Sequence, residues 1–295
     1  MKRNDLEKLM VEVFSDLRPN DYVDIDTKIK EDLNIDSLEL FSACIEIEER
    51  TKLEVCKYIS SEIITINDLL EEITQKKRSK FDIDYSKYPK KKDEKKLSKI
   101  LKFLDKTYEV RVSGIENISD KKQLICPNHE SNYDPFMVLL AFYKNDISMD
   151  NFCCFASEDV WNSAVLKKAF DILGAIPLFR NENTSLALKR ATEVLSSDAP
   201  TKFLIHPEGK RSRDGKLAPF KNGAQKLSEE TNTEIVPVCI NGTFEVYPYG
   251  RKVPKVFGHH VVEVKFLPPV KDGEMSKVRD AIKAEKAIYK KSKLA

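Results

Sequence analysis

A histidine and an aspartate stand five positions apart in the passage Asn128-His129-Glu130-Ser131-Asn132-Tyr133-Asp134-Pro135, where a strand pattern gives way to a helical one. If Asp134 accepts from one ring nitrogen of His129, the other can take a proton from a hydroxyl, which is the work of a general base. Pro135 suits a first helical turn, which makes Asp134 the natural N-cap there. Capping alone would explain the pair, but a carboxylate has two oxygens and can both cap and orient. A second passage, His206-Pro207-Glu208-Gly209-Lys210-Arg211-Ser212-Arg213, supplies a glycine turn and a cluster of cations. Gly209 lets backbone approach a ligand, and Lys210, Arg211 and Arg213 offer charge-assisted donors suited to phosphate. The plain alternative is a solvated basic loop. Glu208 would orient those cations or hold an acceptor hydroxyl, unless it forms a simple surface ion pair. Arg180, closing Gly174-Ala175-Ile176-Pro177-Leu178-Phe179-Arg180, could join them from the next strand end. Together these residues describe group transfer at an anionic substrate. Far upstream, Asp36-Ser37-Leu38-Glu39-Leu40 sets a serine at a helix start where it could carry a tethered group; a capping box between Asp36 and Glu39 is the structural alternative.

The elements that must position these residues follow a split in charge. Residues 1–74 hold 9 Lys+Arg against 19 Asp+Glu, a balance of −10, and the remainder holds 41 against 29, or +12, inside a total of +2. The acidic part reads as a small helical bundle. Its first helix covers residues 4–17 with Leu6, Leu9, Met10, Val13 and Leu17 on one face. Its second runs from Ser37 to about Arg50 with Leu38, Phe41 and Ile45 inward, and short helices near 57–62 and 67–75 complete it. Residues 76–96, with ten Lys or Arg, read as a basic linker; as a coil it would span roughly 25 Å. Beyond it, apolar runs at 108–112, 123–126, 152–155, 175–178, 202–205, 235–240 and 261–266 alternate with helical patterns, notably 135–144, 163–173 and 185–196. That alternation predicts a mixed, largely parallel sheet flanked by helices. His129 then falls at the carboxyl edge, where open α/β sheets bind ligands.

Other classes are disfavoured. The six cysteines (Cys44, Cys56, Cys126, Cys153, Cys154, Cys239) lack metal-ligand spacing and read as reduced, buried thiols. No metal is expected, and nucleic acid is not expected for want of an aromatic-basic motif. The longest apolar stretch, Phe136 to Tyr143, is too short to span a bilayer, so membrane contact would be peripheral, from the cytoplasmic face and at anionic lipid. Lys95 to Lys106 gathers Leu97, Ile100, Leu101 and Leu104 on one face amid lysines; such a helix would lie at a bilayer surface or pack on its own domain. The segment from Glu274 to Leu294 reads as a solvated closing helix.

Four ordered blocks carry a resemblance: Asn128-His129-x-Ser131-x-x-Asp134-Pro135; Gly174 to Arg180; Pro207-Glu208-Gly209-x-Arg211-Ser212 through Pro219-Phe220-Lys221-x-Gly223-Ala224; and Ile235-Val236-Pro237-Val238. Over residues 107–270 they resemble the 1-acylglycerol-3-phosphate acyltransferase family. The resemblance implies transfer of a fatty acyl group from a carrier or coenzyme A thioester to a hydroxyl of a lysophospholipid. It also implies His129 as base, Asp134 as its orienter, and acceptor phosphate binding by Arg180 and the loop Glu208, Gly209, Lys210 and Arg211. Ser131, Cys126 and Cys153 would be spectators, and backbone N–H groups from Asp134 to Phe136 would hold the oxyanion. His206 stands where the family commonly has an aromatic residue, Lys210 where it has threonine, and Phe179 where it has a polar or aliphatic residue. These departures admit another lipid acceptor, an amine or a sugar hydroxyl. Residues 1–75, with Asp36-Ser37-Leu38 and Glu46-x-Glu48-Glu49, resemble an acyl carrier protein, although Thr51 stands where carriers place a large apolar residue. That implies 4'-phosphopantetheine on Ser37, installed by a phosphopantetheinyl transferase. The expected order is a four-helix carrier bundle (1–75), a basic linker (76–96) and an α/β transferase domain (97–295), with a carrier and docking protein bearing a non-catalytic half as the alternative.

Overall fold

The computed structural model describes residues 3–53, 55–56, 59, 63–75, 83–179, 184–270 and 273–292. Three helices open the chain: α1 (Arg3–Leu17), α2 (Ser37–Thr51) and α3 (Ile66–Gln75). α1 buries Leu6, Met10, Val13 and Phe14, whereas Leu9 and Leu17, expected inside, are only half-buried. The stripe is rotated so that Phe14, the larger apolar surface, is the residue removed from water. α2 is closed by a full capping box: Asp36 Oδ1 accepts from the N–H groups of Leu38 and Glu39 (2.9 Å each), and the Asp36 N–H donates to Glu39 (3.0 Å). Its far end stops at Lys52, in the left-handed region at φ 60°. α1 packs against both α2 and α3. The short helix expected at 57–62 falls almost wholly outside the described residues.

The chain continues with α4 (Glu94–Thr107), β1 (Glu109–Ser113), β2 (Gln123–Pro127), α5 (Asp134–Lys144), β3 (Phe152–Ser157), α6 (Glu158–Trp161), α7 (Ala164–Leu173), β4 (Ile176–Leu178) and α8 (Thr184–Ser196). Then come β5 (Lys202–Leu204), α9 (Gly223–Thr231), β6 (Glu234–Asn241), α10 (Thr243–Val246), β7 (Val261–Phe266) and α11 (Met275–Ser292). Two compact units result. One comprises Met1–Tyr88 with Ala156–Ala164 and Ile176–Ala191; the other comprises Pro89–Phe155, Val165–Ala175 and Thr192–Ala295.

Within the first unit, Glu48 accepts from the N–H groups of Val55 and Cys56 (2.8 and 2.9 Å) and pairs with Lys189 at 3.2 Å. The Ser185 hydroxyl donates to the Cys56 carbonyl. Part of the expected linker is ordered: Asp84 caps a single turn at Tyr85–Lys87, and Tyr85 is buried. An aromatic ring removed from water holds this stretch in place where its lysines alone predicted a coil.

Within the second unit the strands run in the order β1-β7-β6-β2-β5-β3. The pairs β1/β7, β2/β6, β2/β5 and β3/β5 are parallel, and β6/β7 is antiparallel. β2 and most of β6 are buried throughout, as strands covered on both faces should be. α5 packs on β1 and β7, and α9 and α11 pack on β6. Of the two readings of the α4 leucine face, packing on its own domain is the one observed, and the expectation for the last helix is corrected. The leucine face of α4 is covered, with Leu97, Leu101 and Leu104 buried and α4 packed on α5 and β1, so it is not available to a bilayer. The last helix is not solvated either, because α11 buries Met275, Val278, Ile282 and Lys286. All six cysteines are buried and unbridged.

Candidate active site

Three neighbouring parallel strands end at one edge and deliver the residues that matter. β2 ends at Pro127 and leads into Asn128 and His129, β5 leads into His206 and Glu208, and β6 ends at Asn241 just before Thr243. The Asn128 side chain ties two of these ends together. Its Nδ2 donates to the Ile240 carbonyl and its Oδ1 accepts from the Ile240 N–H, each at 2.8 Å, which extends the ladder past the last backbone pair.

His129 Nδ1 and Asp134 Oδ2 lie 2.9 Å apart, with Asp134 fully buried and the His129 side chain 17% exposed. Oδ2 also accepts from the N–H groups of Glu130 and Ser131 (2.8 Å each), and Oδ1 accepts from the Thr243 hydroxyl (2.7 Å). Burial pushes the Asp134 carboxyl upward, and these donors oppose that push by stabilising its anion. An ionised acceptor at Nδ1 fixes the proton there and makes Nε2 the basic nitrogen of the ring. The expected cap is absent: the N-cap of α5 is Tyr133, with no side-chain cap bond, and Asp134 is the first helical residue. Its carboxylate turns back onto the preceding loop, where the histidine and two backbone donors outcompete the helix end.

Glu208 sits beneath the same turn. Its Oε1 accepts from the His129 N–H (2.7 Å) and its Oε2 from the Ala218 N–H (2.8 Å), and burial pushes its carboxyl above the ordinary range. The Ser212 N–H returns a bond to the His129 carbonyl at 2.7 Å. Glu208 therefore pins the His129 backbone to the 209–218 loop, a contact that spacing could not reveal. Gly209, at φ 66°, makes the turn that begins that loop. Lys210 is exposed and Arg211 half-buried. The guanidinium groups of Arg211 and Arg213 lie 4.9 and 5.1 Å from the Tyr249 ring centroid. Arg180 lies outside the described residues, and Ser37, exposed at the start of α2, belongs to the first unit.

Two further contacts were not foreseen from sequence. The ring of His206 stacks on His129, centroids 3.7 Å apart and planes 10° from parallel. Burial and the neighbouring imidazole push His206 down to about 3, so it stays neutral beside the His129 ring. Lys286, from α11, forms a buried ion pair with Glu130 and donates to Asn241 (3.3 Å). Burial pushes Glu130 up to about 7 against the pull of that lysine. Ser131 is structural: its hydroxyl donates to the Tyr247 carbonyl and accepts from the Tyr133 N–H.

His129, Asp134 and His206 offer ligand atoms within 4.8 Å of one another, the one such grouping with metal-binding potential among the described residues. The donor set does not fit a cation. Both oxygens of Asp134 are engaged by hydrogen-bond donors, His129 Nδ1 is directed at that carboxylate, and face-stacked imidazoles cannot aim lone pairs at a common centre.

The same stretch resembles known proteins. Residues 109–241 match the family model described as Acyltransferase. The chain is 30% identical over 167 residues to a chloroplastic 1-acyl-sn-glycerol-3-phosphate acyltransferase of Arabidopsis thaliana, covering 55% of this chain and 44% of that protein. It is 27% identical over 188 residues to a 1-acyl-sn-glycerol-3-phosphate acyltransferase of Limnanthes douglasii, covering 61% and 62%. The chain thus spans less than two thirds of either relative's length. The crystal structure of a 1-acyl-sn-glycerophosphate acyltransferase from Thermotoga maritima aligns with a TM-score of 0.49 and 26% identity over 65% of this chain and 79% of that one. The stretch that carries the site thus matches the Acyltransferase model and is similar to 1-acyl-sn-glycerol-3-phosphate acyltransferases.

Proposed function

We propose that this chain transfers a fatty acyl group from a thioester to a hydroxyl of a lysophospholipid such as 1-acylglycerol 3-phosphate. The observation that carries the reading is the 2.9 Å contact of His129 with a buried carboxylate at a sheet edge, on a turn tied by Glu208 to a cationic loop. His129 Nε2 takes the proton of the acceptor hydroxyl as its oxygen attacks the thioester carbonyl. The carbon–sulfur bond then breaks, and the thiolate leaves with the proton returned by His129, so no covalent enzyme intermediate is needed. Of the backbone groups proposed for the oxyanion, Pro135 has no N–H and that of Asp134 donates to the Ser131 carbonyl (3.2 Å), which narrows the role to Phe136. Lys210 and Arg211 would hold the acceptor phosphate. Glu208, with both oxygens engaged by backbone, serves by holding the turn.

The donor we propose is a carrier or coenzyme A thioester, with residues 1–75 as a fused carrier bearing 4'-phosphopantetheine on Ser37. In support, Ser37 is exposed while Asp36 and Glu39 form the cap, so the hydroxyl is not needed to hold the helix. Tethering would raise the local donor concentration to roughly millimolar. No helix among the described residues is long and apolar enough to cross a membrane; we place the protein peripherally, at an anionic membrane face. In the test, full-length protein is treated with a phosphopantetheinyl transferase, loaded, and followed by intact mass as lysophosphatidic acid is added. The acyl mass on the phosphopantetheine thiol disappears in the native protein, leaving the holo mass at Ser37, and persists in His129→Ala. Loss at the same rate in both would reject the mechanism, and a dephosphorylated acceptor used equally well would move the reading to another lipid.

A further inference from the structure

Between Glu245 and Glu263 the chain has no acidic residue, yet it carries Arg251, Lys252 and Lys255 among large apolar side chains. Phe257 is 90% exposed, Val253 67%, Tyr249 43% and Val256 37%. A single exposed hydrophobe needs no explanation, but four within nine residues do, because soluble surfaces rarely gather apolar groups in this way. Nor is this a loosely held segment. Tyr247 N–H donates to the Thr243 carbonyl (2.8 Å) and Lys255 N–H to the Val246 carbonyl (2.9 Å). The Tyr108 hydroxyl donates to the Lys255 carbonyl (2.8 Å), and Arg251 Nε donates to that of Val253 (2.7 Å). The backbone is tied down, and the apolar side chains are directed into water.

The loop also adjoins the site. The Tyr247 carbonyl accepts from Ser131, two residues from His129, and the Tyr133 and Tyr247 ring centroids are 5.2 Å apart. Tyr249 lies beneath the guanidinium groups of Arg211 and Arg213. We infer that residues 247–258 are a membrane-docking loop that seats on an anionic bilayer beside the cationic loop and the turn that bears His129. Interleaved cations and apolar side chains match such a surface, the cations meeting acidic headgroups while Phe257 and Val253 enter the interface. A second copy of the chain fits less well, because protein interface cores are depleted of lysine. The proposed purpose, delivery of a lipid acceptor, rests on the acyl-transfer reading above; the docking itself does not.

The test uses the full chain with vesicles of phosphatidylcholine, with and without phosphatidylglycerol. Native protein should co-sediment preferentially with the anionic vesicles. The pair Val253→Asp and Phe257→Asp should weaken that binding about tenfold or more, with the melting temperature unchanged since both side chains are exposed. Replacing Arg251, Lys252 and Lys255 with glutamine should remove the preference for phosphatidylglycerol. In Phe257→Trp, bilayer-embedded brominated lipid should quench the added emission. Undiminished binding by the aspartate variant, or no quenching, would overturn the inference. So would light scattering that shows those aspartates dissolving a dimer while vesicle binding persists. Acyl transfer to a short-chain, monomeric lysophosphatidic acid should survive the aspartate substitutions. Loop-dependent vesicle binding by a native protein that transfers nothing would uphold docking and remove the acyl-transfer reading instead.

Discussion

Two helices of this molecule have an aspartate at their start and use it in opposite ways. At α2, Asp36 does what local physics asks of it: its carboxylate takes two N–H groups of its own helix, and Glu39 answers from the third turn position. At α5, Asp134 leaves the helix end without a side-chain cap and gives its oxygens to His129, two loop N–H groups and Thr243. A cap is worth about 1 kcal/mol. Forgoing it, and burying a carboxylate fully in its place, makes little sense as local stabilisation and good sense if the histidine must be held in one tautomer. The same residue type, at the N-cap of α2 and one position later at the first residue of α5, thus takes two different sets of donors, and the signature is where the oxygens point.

The contrast can be broken most directly at Asp134. Asp134→Asn keeps the shape but puts an amide where the imidazole N–H needs an acceptor, so kcat should fall about 10³- to 10⁴-fold while KM changes little; a loss confined to melting temperature would make Asp134 a structural residue like Asp36. Next in size is Lys286→Met, which strands Glu130 in the interior and should cost about 3–5 kcal/mol in chemical denaturation at pH 8. Its pH dependence has a defined sign. Glu130 is held above its unfolded value, at about 7, so the folded state binds the extra proton, and the associated stabilisation is present at low pH and lost as pH rises through 7. Removing the lysine takes away what opposes that rise, so the deficit should shrink at pH 5 and grow towards pH 8; a deficit independent of pH would mean the pair is not the cause. Smallest is Asp36→Ala, expected to lower stability by about 1 kcal/mol without altering transfer to an acceptor from a soluble thioester.

Much of this was legible because it is local. The strand runs at 123–126 and 202–205 fall within a residue of the observed limits because buried parallel strands appear as near-continuous apolar runs, and 261–266 does so through the alternation of a half-buried strand. His129 and Asp134 were readable as a pair because a five-residue turn brings them together. What was not legible is non-local. Thr243, 109 positions from Asp134, reaches it only because β6 lies beside β2, and no spacing encodes that. Glu208 was read as a ligand for substrate or cations because its neighbours are basic, yet its carboxylate faces inward to the His129 backbone. α11 was misread for a different reason. Its buried residues Met275, Val278, Ile282 and Lys286 follow a helical stripe, but one member is a lysine and the surrounding charge hid the pattern. The leucine face of α4 was read correctly as a face, and only its partner was in doubt: a bilayer and the sheet's own helix ask for the same spacing.

The pairing of Lys286 with Glu130 has a consequence for how the molecule comes into being. A nascent polypeptide that has emerged as far as residue 270 already contains every motif residue discussed above, yet it lacks the cation that neutralises the acid next to the reactive histidine. A chain that ends before α11 would therefore leave Glu130 without its buried cation, and the turn without the tie to β6 that Lys286 makes through Asn241.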